Sequence, residues 1–280
     1  MPLQRLGLTE RQSIRMSEVF GIDVSHYQGP IDWEAVARDN KKFAIIKCQY
    51  EAQSHRIDEY FERNYKGAGE NGLARGVYIY IARASMADPE GDAKSLLNHL
   101  KGRILEYGIW LDLEDKSLEV KGKAYIGELA KKYAEIFRRA GYYVGIYCNR
   151  DWYLRLIPNY ILNDFDFWIA RYPRNDTGKY NPQSSLRPNY KVAVAWQYSS
   201  KGNVAGIATR CDLNVDFDGV VNLIASSPVK KSVDEIAQEV LDDKWGTDET
   251  RKRLLESAGY NYKEIQKKVT ELYKNKNSVV

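Results

Sequence analysis

The 280-residue chain predicts an α/β fold: an irregular, TIM-like β/α barrel of eight strands and about five helices, followed by a small three-helix module. Three observations predict it. Eight short β-rich runs punctuate the sequence up to about residue 225, helical patterns separate the early ones, and after Ile224 only helical patterns remain.

The β-rich runs are Val19 to Val24, Phe43 to Cys48, Gly76 to Ala82, Gly108 to Leu113, Tyr143 to Cys148, Phe165 to Ala170, Val192 to Trp196 and Cys211 to Val215. Strand, helix, strand repeated with short links implies a parallel sheet, and eight strands invite closure. Ile31 to Asn40 and Asp58 to Asn71 read as helices, as does Pro89 to Leu100, where Pro89 suits a first turn. The clearest helix is Lys123 to Ala140, in which Tyr125, Leu129, Tyr133, Ile136 and Phe137 recur at helical spacing before Gly141 stops it. The later links differ. Tyr172 to Tyr190 carries Pro173, Pro182 and Pro188, and Ser199 to Arg210 is rich in glycine, so the last strands are expected to be joined by loops or hairpins.

Beyond Ile224, Ala225 to Lys231 reads as a linker, and Ser232 with Glu235 forms a capping box at the start of a short helix. A turn through Lys244-Trp245-Gly246 leads to a second helix around Arg251 to Ser257, and Asn261 with Glu264 caps a third. The expected organisation is an N-terminal extension (1–18), the barrel (19–224), a linker (225–231), the helical module (232–273) and a tail (274–280). Roughly forty residues without a disulfide or a metal is near the lower limit for an autonomous fold.

Composition excludes several functions. A net charge of +4, spread evenly along the chain, lacks the concentrated basic face of a nucleic-acid footprint. No run approaches the ~20 apolar residues of a membrane span, so neither nucleic acid nor membrane is expected as a partner. Cys48, Cys148 and Cys211 are odd in number and have no C-x-x-C spacing, which argues for buried free thiols and a reducing place of synthesis. Met1 to Ser17 carries Arg5, Glu10, Arg11 and Arg15 and no apolar core, so synthesis in the cytoplasm without a secretory signal is the expectation. The 21 tyrosines and six tryptophans suit stacking on sugar rings, although core packing is their commoner use.

The chemistry concentrates in Tyr107 to Asp115, which reads Y-G-I-W-L-D-L-E-D. Side chains alternate on a strand, so Asp112 and Glu114 share one face with Trp110, while Ile109, Leu111 and Leu113 face the other way. Two acids ~6–7 Å apart repel each other, and one can hold a proton near neutral pH, as a general acid must. In a barrel of this kind the chemistry sits at the C-terminal strand ends, which is where Asp112, Glu114 and Asp23 fall. Asp212 joins them if the last strand is placed generously.

Gly21-Ile-Asp23-Val-Ser25 with Gln28-Gly29, Asp112-Leu-Glu114, Trp196-Gln-Tyr198 and Asp212-Leu-Asn214, in this order, resemble the glycoside hydrolase family 25 muramidases of bacteria and their phages. The resemblance covers about residues 19 to 224. It implies an irregular barrel, no cofactor, and cleavage of the β-1,4 bond between N-acetylmuramic acid and N-acetylglucosamine in bacterial peptidoglycan. Glu114 then matches the general acid, with Asp23, Asp112 and Asp212 as the other active-site acids. Tyr78, Tyr80, Tyr147, Trp196 and Trp110 are the expected sugar-binding residues. The chain departs from the family's usual pattern after the second strand, at Lys47-Cys-Gln-Tyr-Glu51-Ala, and after the third, at Tyr78-Ile-Tyr80, which puts the glycan preference in question.

Residues 230 to 273 are similar to the CW-seven cell-wall-binding repeat of phage lysins, in a single copy, with Trp245, Arg251 and Tyr260 as its candidate binding residues. Such repeats bind muropeptide. The missing signal and the wall chemistry together imply a phage endolysin that reaches the wall after release. For mechanism the expectation is substrate assistance, with Asp112 orienting the 2-acetamido group; an inverting course through water is the alternative. Two rival functions stay open, a catalytically silent wall-binding protein and a metal-dependent barrel enzyme using the acids as ligands, and nothing in the sequence counts subunits in a homo-oligomer.

Overall fold

The computed structural model describes residues 18–49, 55–217, 233–247, 250–252, 255 and 260–277. Strands β1 (Val19–Val24), β2 (Phe43–Lys47), β3 (Ala74–Tyr80), β4 (Gly108–Asp112), β5 (Val144–Asn149), β6 (Phe167–Ala170), β7 (Ala193–Gly202) and β8 (Cys211–Asp216) close into a barrel in sequential order. Each link between β1 and β6 contains helix: α1 (Trp33–Arg38), α2 (Phe61–Glu70), the pair α3 (Arg83–Ala87) and α4 (Pro89–Leu100), the pair α5 (Lys116–Glu119) and α6 (Gly122–Arg139), and α7 (Arg150–Arg155). These five crossovers carry the parallel pairings from β1 to β6, as a parallel connection requires.

The final turn of the barrel breaks the pattern. β7 is parallel to β6, but β8 runs antiparallel to both β7 and β1. An antiparallel neighbour needs only a short return, so no helix intervenes between Gly202 and Cys211. β7 is also longer than the sequence suggests: Ser199 to Gly202, expected as loop, continues the strand and pairs Gly202 with Cys211. Gly202 is required there because a Cβ would lie 2.4 Å from Leu213.

Alternation along the strands sorts the apolar residues into two layers. Phe43, Ile45, Tyr107, Trp110, Tyr147 and Trp168 fill the barrel interior, with Phe43 stacked on Tyr107 at 4.2 Å and Trp110 edge-on to Trp168 at 6.0 Å. Ile22, Ile46, Ile79, Leu111 and Ile146 point outward against Leu96, Tyr133 and Phe137 of the helices. Helix starts follow their caps: Asp32 accepts a bond from the Ala35 amide at 3.1 Å, and Asp88 accepts from Gly91 at 3.0 Å just ahead of Pro89. Buried Asp92 of α4 accepts bonds from Tyr133 of α6 (2.7 Å) and from Gln49 beyond β2 (3.1 Å), tying two helices to one strand end.

At the C-terminal end, α8 (Val233–Leu241) and α9 (Tyr262–Asn277) pack through Ile236, Val240, Leu255 and Ile265. Asn261 caps α9 as expected, accepting from the Glu264 amide at 3.3 Å. Ser232 of the capping box, the 225–231 linker and residues 1–17 lie outside the described residues.

Candidate active site

Barrel closure brings the acids together at one end. Asp112 ends β4, and Glu114 lies two residues beyond it in the link to α5. Asp23 sits near the end of β1, and the register of β1 with β8 places it opposite Asp212. Asp212 therefore stands at the start of β8 and not at a strand's C-terminal end. It reaches the same mouth because β8 is reversed.

Asp23 is buried, and both amides near it aim at the same oxygen. Gln197 Nε2 and Asn214 Nδ2 each donate to Asp23 Oδ2 at 2.8 Å. Asn214 Oδ1 accepts from Trp168 Nε1 at 2.9 Å, and Gln197 Oε1 accepts from the Tyr147 hydroxyl at 2.8 Å and from that of Tyr172. Burial pushes the Asp23 carboxyl up to about 6 despite these donors and a hydrogen bond with Asp212. Burial, then the Asp23 charge and the hydrogen bond to Asp23, push Asp212 up to about 9. For Glu114, burial and then the charges of Asp23 and Asp115 raise the carboxyl above the usual range, while Lys47 opposes them. Lys47 is itself buried in the barrel, with Nζ 5.8 Å from the Tyr78 ring and 5.4 Å from that of Tyr80. Asp115 caps α5 through the Ser117 amide (2.8 Å) and accepts from the Tyr80 hydroxyl at 3.0 Å.

The expected sugar-binding residues divide. Tyr78 and Tyr80 are half-buried beside Lys47. Tyr147 lies deeper, against Trp168 at 4.3 Å, and its hydroxyl serves Gln197. Trp110 does not reach the mouth: it is fully buried one layer below, with Nε1 donating to the Tyr107 carbonyl at 2.8 Å. Trp196 is 2% exposed on the outer face of the barrel, edge-on to Tyr198 and with Nε1 donating to the Arg171 carbonyl at 2.9 Å, so it cannot form a sugar platform in the cleft. Both corrections have one cause, since strand position alone specifies neither depth nor a preference for aromatics on the inner face.

Lys47, Gln197 and Asn214 stand inside the motif runs with no role assigned to them, and Tyr172, 37% exposed, lies outside those runs. The signal for two of them is present in the spacing. Asn214 lies two residues from Asp212 on one strand face, and Gln197 lies opposite Asn214 in the neighbouring strand. In the helical module Trp245 and Tyr260 pack edge to face at 6.0 Å, Trp245 Nε1 donates to Glu239 at 3.1 Å, and Arg251 Nε donates to the Gly246 carbonyl at 2.9 Å. Among the described residues no three His, Cys, Asp or Glu side chains converge as a metal ion would require.

A mouth ringed by acids of this kind is matched at the level of family. Residues 22–207 match the model of Glycosyl hydrolases family 25. The chain belongs to that family. This family 25 hydrolase is accordingly a glycoside hydrolase of the lysozyme kind, acting on peptidoglycan, and residues 234–273 match the CW_7 repeat. It is 32% identical to the YegX protein of Escherichia coli over 72% of this chain and 71% of that one. It is 27% identical to Lysozyme M1 of Streptomyces globisporus, over 75% and 71% of the two chains. The crystal structure of the bacterial lysozyme from Streptomyces coelicolor superposes with a TM-score of 0.58 at 26% identity, covering 75% of this hydrolase and 97% of that chain.

Proposed function

We propose that this hydrolase is a muramidase, cleaving the β-1,4 bond between N-acetylmuramic acid and N-acetylglucosamine with Glu114 as general acid. The observation that carries this reading is the position of Glu114 at the barrel mouth, two residues beyond the end of β4, where burial and the neighbouring Asp23 and Asp115 charges raise its carboxyl above the usual range. A leaving oxygen needs that proton as the glycosidic bond breaks, and the positive charge growing at the anomeric carbon needs a partner. Asp112, the last residue of β4, orients a 2-acetamido group in this reading, so that the acetamido oxygen attacks the anomeric carbon and the neighbouring charge stabilises the oxazolinium. Asp23 and Asp212 complete the acidic wall, and Tyr78 and Tyr80 supply aromatic surface near it.

The same reading extends to place and partner. The helical module holds the enzyme on muropeptide, and the substrate puts its action on the bacterial wall. Cys48, Cys148 and Cys211 are free and buried, which fits synthesis in a reducing cytoplasm followed by release, as a phage endolysin requires. Reducing-end analysis of digested peptidoglycan tests the bond: new muramic acid ends support the proposal, and new glucosamine ends refute it. NMR of the first-formed anomer tests the course, because an inverted product removes substrate assistance. Clearing of purified walls by wild type and not by Glu114→Gln tests the acid, and equal clearing by both removes Glu114 from the role. A wild type that binds walls and leaves every glycan intact is a silent wall-binding protein.

A further inference from the structure

Two carboxylates can hydrogen-bond to each other only when one keeps a proton. Asp23 and Asp212 are direct cross-strand partners in the antiparallel pair that closes the barrel, a juxtaposition in which one proton held between them relieves their repulsion. Which of them keeps it is set by what else each side chain touches. A side-chain amide can turn either its N–H or its oxygen toward a neighbour, but here the choice is fixed from behind. The Trp168 indole is a donor only, so it claims Asn214 Oδ1 at 2.9 Å and leaves Nδ2 to face Asp23. Gln197 Oε1 accepts hydrogen bonds from the Tyr147 and Tyr172 hydroxyls, and its Nε2 faces Asp23. Both N–H groups meet the same oxygen, Asp23 Oδ2, at 2.8 Å. Two amide donors on one carboxyl oxygen stabilise the anion and not the acid. Asp212 sees the opposite surroundings, since desolvation and the charges of Asp23, Glu114 and Asp176 all favour its neutral form.

We propose that Gln197 and Asn214 are positioning residues that assign the shared proton of the pair to Asp212, so that Asp23 meets the substrate as a carboxylate and Asp212 as a neutral O–H donor. The inference rests on the acid-lined mouth as the glycan-cleaving site and is independent of which acid protonates the leaving group.

The test is a carbon-13 NMR titration of aspartate side-chain carboxyls in the full-length protein, with Asp23→Asn and Asp212→Asn for assignment. The expected result is a protonated carboxyl at pH 7 that disappears in Asp212→Asn. In Asn214→Leu the Asp23 carboxyl should titrate at higher pH, and the acidic limb of kcat/KM on cell walls should rise with it, with KM changed less than kcat. Gln197→Met provides the same readout should the asparagine variant fail to fold. Asp23→Asn should lose at least a hundredfold more of kcat than Asp212→Asn. A protonated carboxyl that survives in Asp212→Asn and vanishes in Asp23→Asn overturns the assignment, as does the absence of any protonated aspartate at pH 7 in wild type. The expected NMR pattern in a protein that cleaves no glycan refutes the muramidase reading and leaves the proton assignment standing.

Discussion

Replacing Gly145 by alanine tests how the packed interior supports the site above it. A Cβ at this position lies 2.4, 2.7 and 3.0 Å from three carbons of the Trp110 ring. Ordinary carbon contact begins near 3.5 Å, so the ring must retreat by about 1 Å. It has nowhere to go. Its Nε1 is held by the Tyr107 carbonyl at 2.8 Å, and Tyr107, Tyr143 and Trp168 surround it at 5.7, 5.9 and 6.0 Å between ring centres. Overpacking of this sort costs about 1–3 kcal/mol. At the middle of that range the melting temperature should fall by about 4–8 °C for a domain of this size. The displacement also presses on Trp168, whose N–H fixes Asn214 and through it Asp23, so kcat should drop together with stability. Calorimetric melts and wall-clearing rates supply both readouts. Trp110→Phe removes the six-membered part of the indole that clashes, so the double variant should be more stable than the sum of the single losses implies, by about 1 kcal/mol or more. Gly145→Ala melting within about 1 °C of wild type, or strict additivity in the cycle, would falsify the packing argument.

Other expectations follow from the same contacts. Glu114→Gln should lower kcat by roughly 10²–10⁴ with KM little changed, as loss of a proton donor does, measured on soluble muropeptide. In wild type the alkaline limb of kcat should lie above the ordinary glutamate range, because activity is present while Glu114 is protonated and is lost as pH rises through its raised pKa; a limb at or below that range refutes the assignment. Asp212 is raised from 3.8 to about 9 in the fold, so its contribution to stability is present at low pH and fades between those values. Asp212→Asn should accordingly gain melting temperature over wild type as pH climbs toward 9. Glu106 is desolvated, yet the side-chain and backbone donors of Arg75 hold it below its ordinary value, with the guanidinium at 2.6 and 3.1 Å. Arg75→Met should cost about 1 kcal/mol at neutral pH after solvent screening, and the difference should vanish as pH falls through the depressed Glu106 pKa. Full activity in EDTA is expected of an acid-based glycosidase, and loss of activity restored by a divalent cation would point to the metal-dependent alternative. Deleting residues 225 to 280 should weaken sedimentation with walls more than hydrolysis of a short muropeptide, and equal loss would make the module structural.

The sequence carries the barrel well because alternation and helical spacing both arise from burial, and burial decides this fold. Four of the five crossovers fall where helical runs are read between β-rich ones, the short α7 being the exception, and Pro89 opens α4 as its fixed backbone favours. What pattern could not supply was direction and depth. The reversal of β8 depends on a return between Gly202 and Cys211 that looks like any glycine-containing loop, yet that reversal brings Asp212 to the mouth. Trp110 shares the parity of Asp112, but two residues of rise separate a side chain in the mouth from one in the packed interior. In β7 the register shifts at the bulge against β6, and the aromatic Trp196 turns outward while the less conspicuous Gln197 turns in. Amides draw less notice than acids or indoles in a motif, although here they hold Asp23.

Reversal of the last strand has a consequence for how this enzyme comes into being. Asn214 and Asp23 are 191 positions apart along the chain yet share a hydrogen bond, so the acid pair exists only after both ends of the ring have met. A ribosome-bound fragment lacking β8 has Asp23, Asp112 and Glu114 but neither Asp212 nor the closed wall behind it. Such long-range pairing forms late, because the loop entropy must be overcome before the contact is made. An unfinished chain therefore lacks both Asp212 and the Asn214 donor to Asp23. A division of the chain between β7 and β8 separates Asp23 from both Asp212 and Asn214, so that neither part holds the pair.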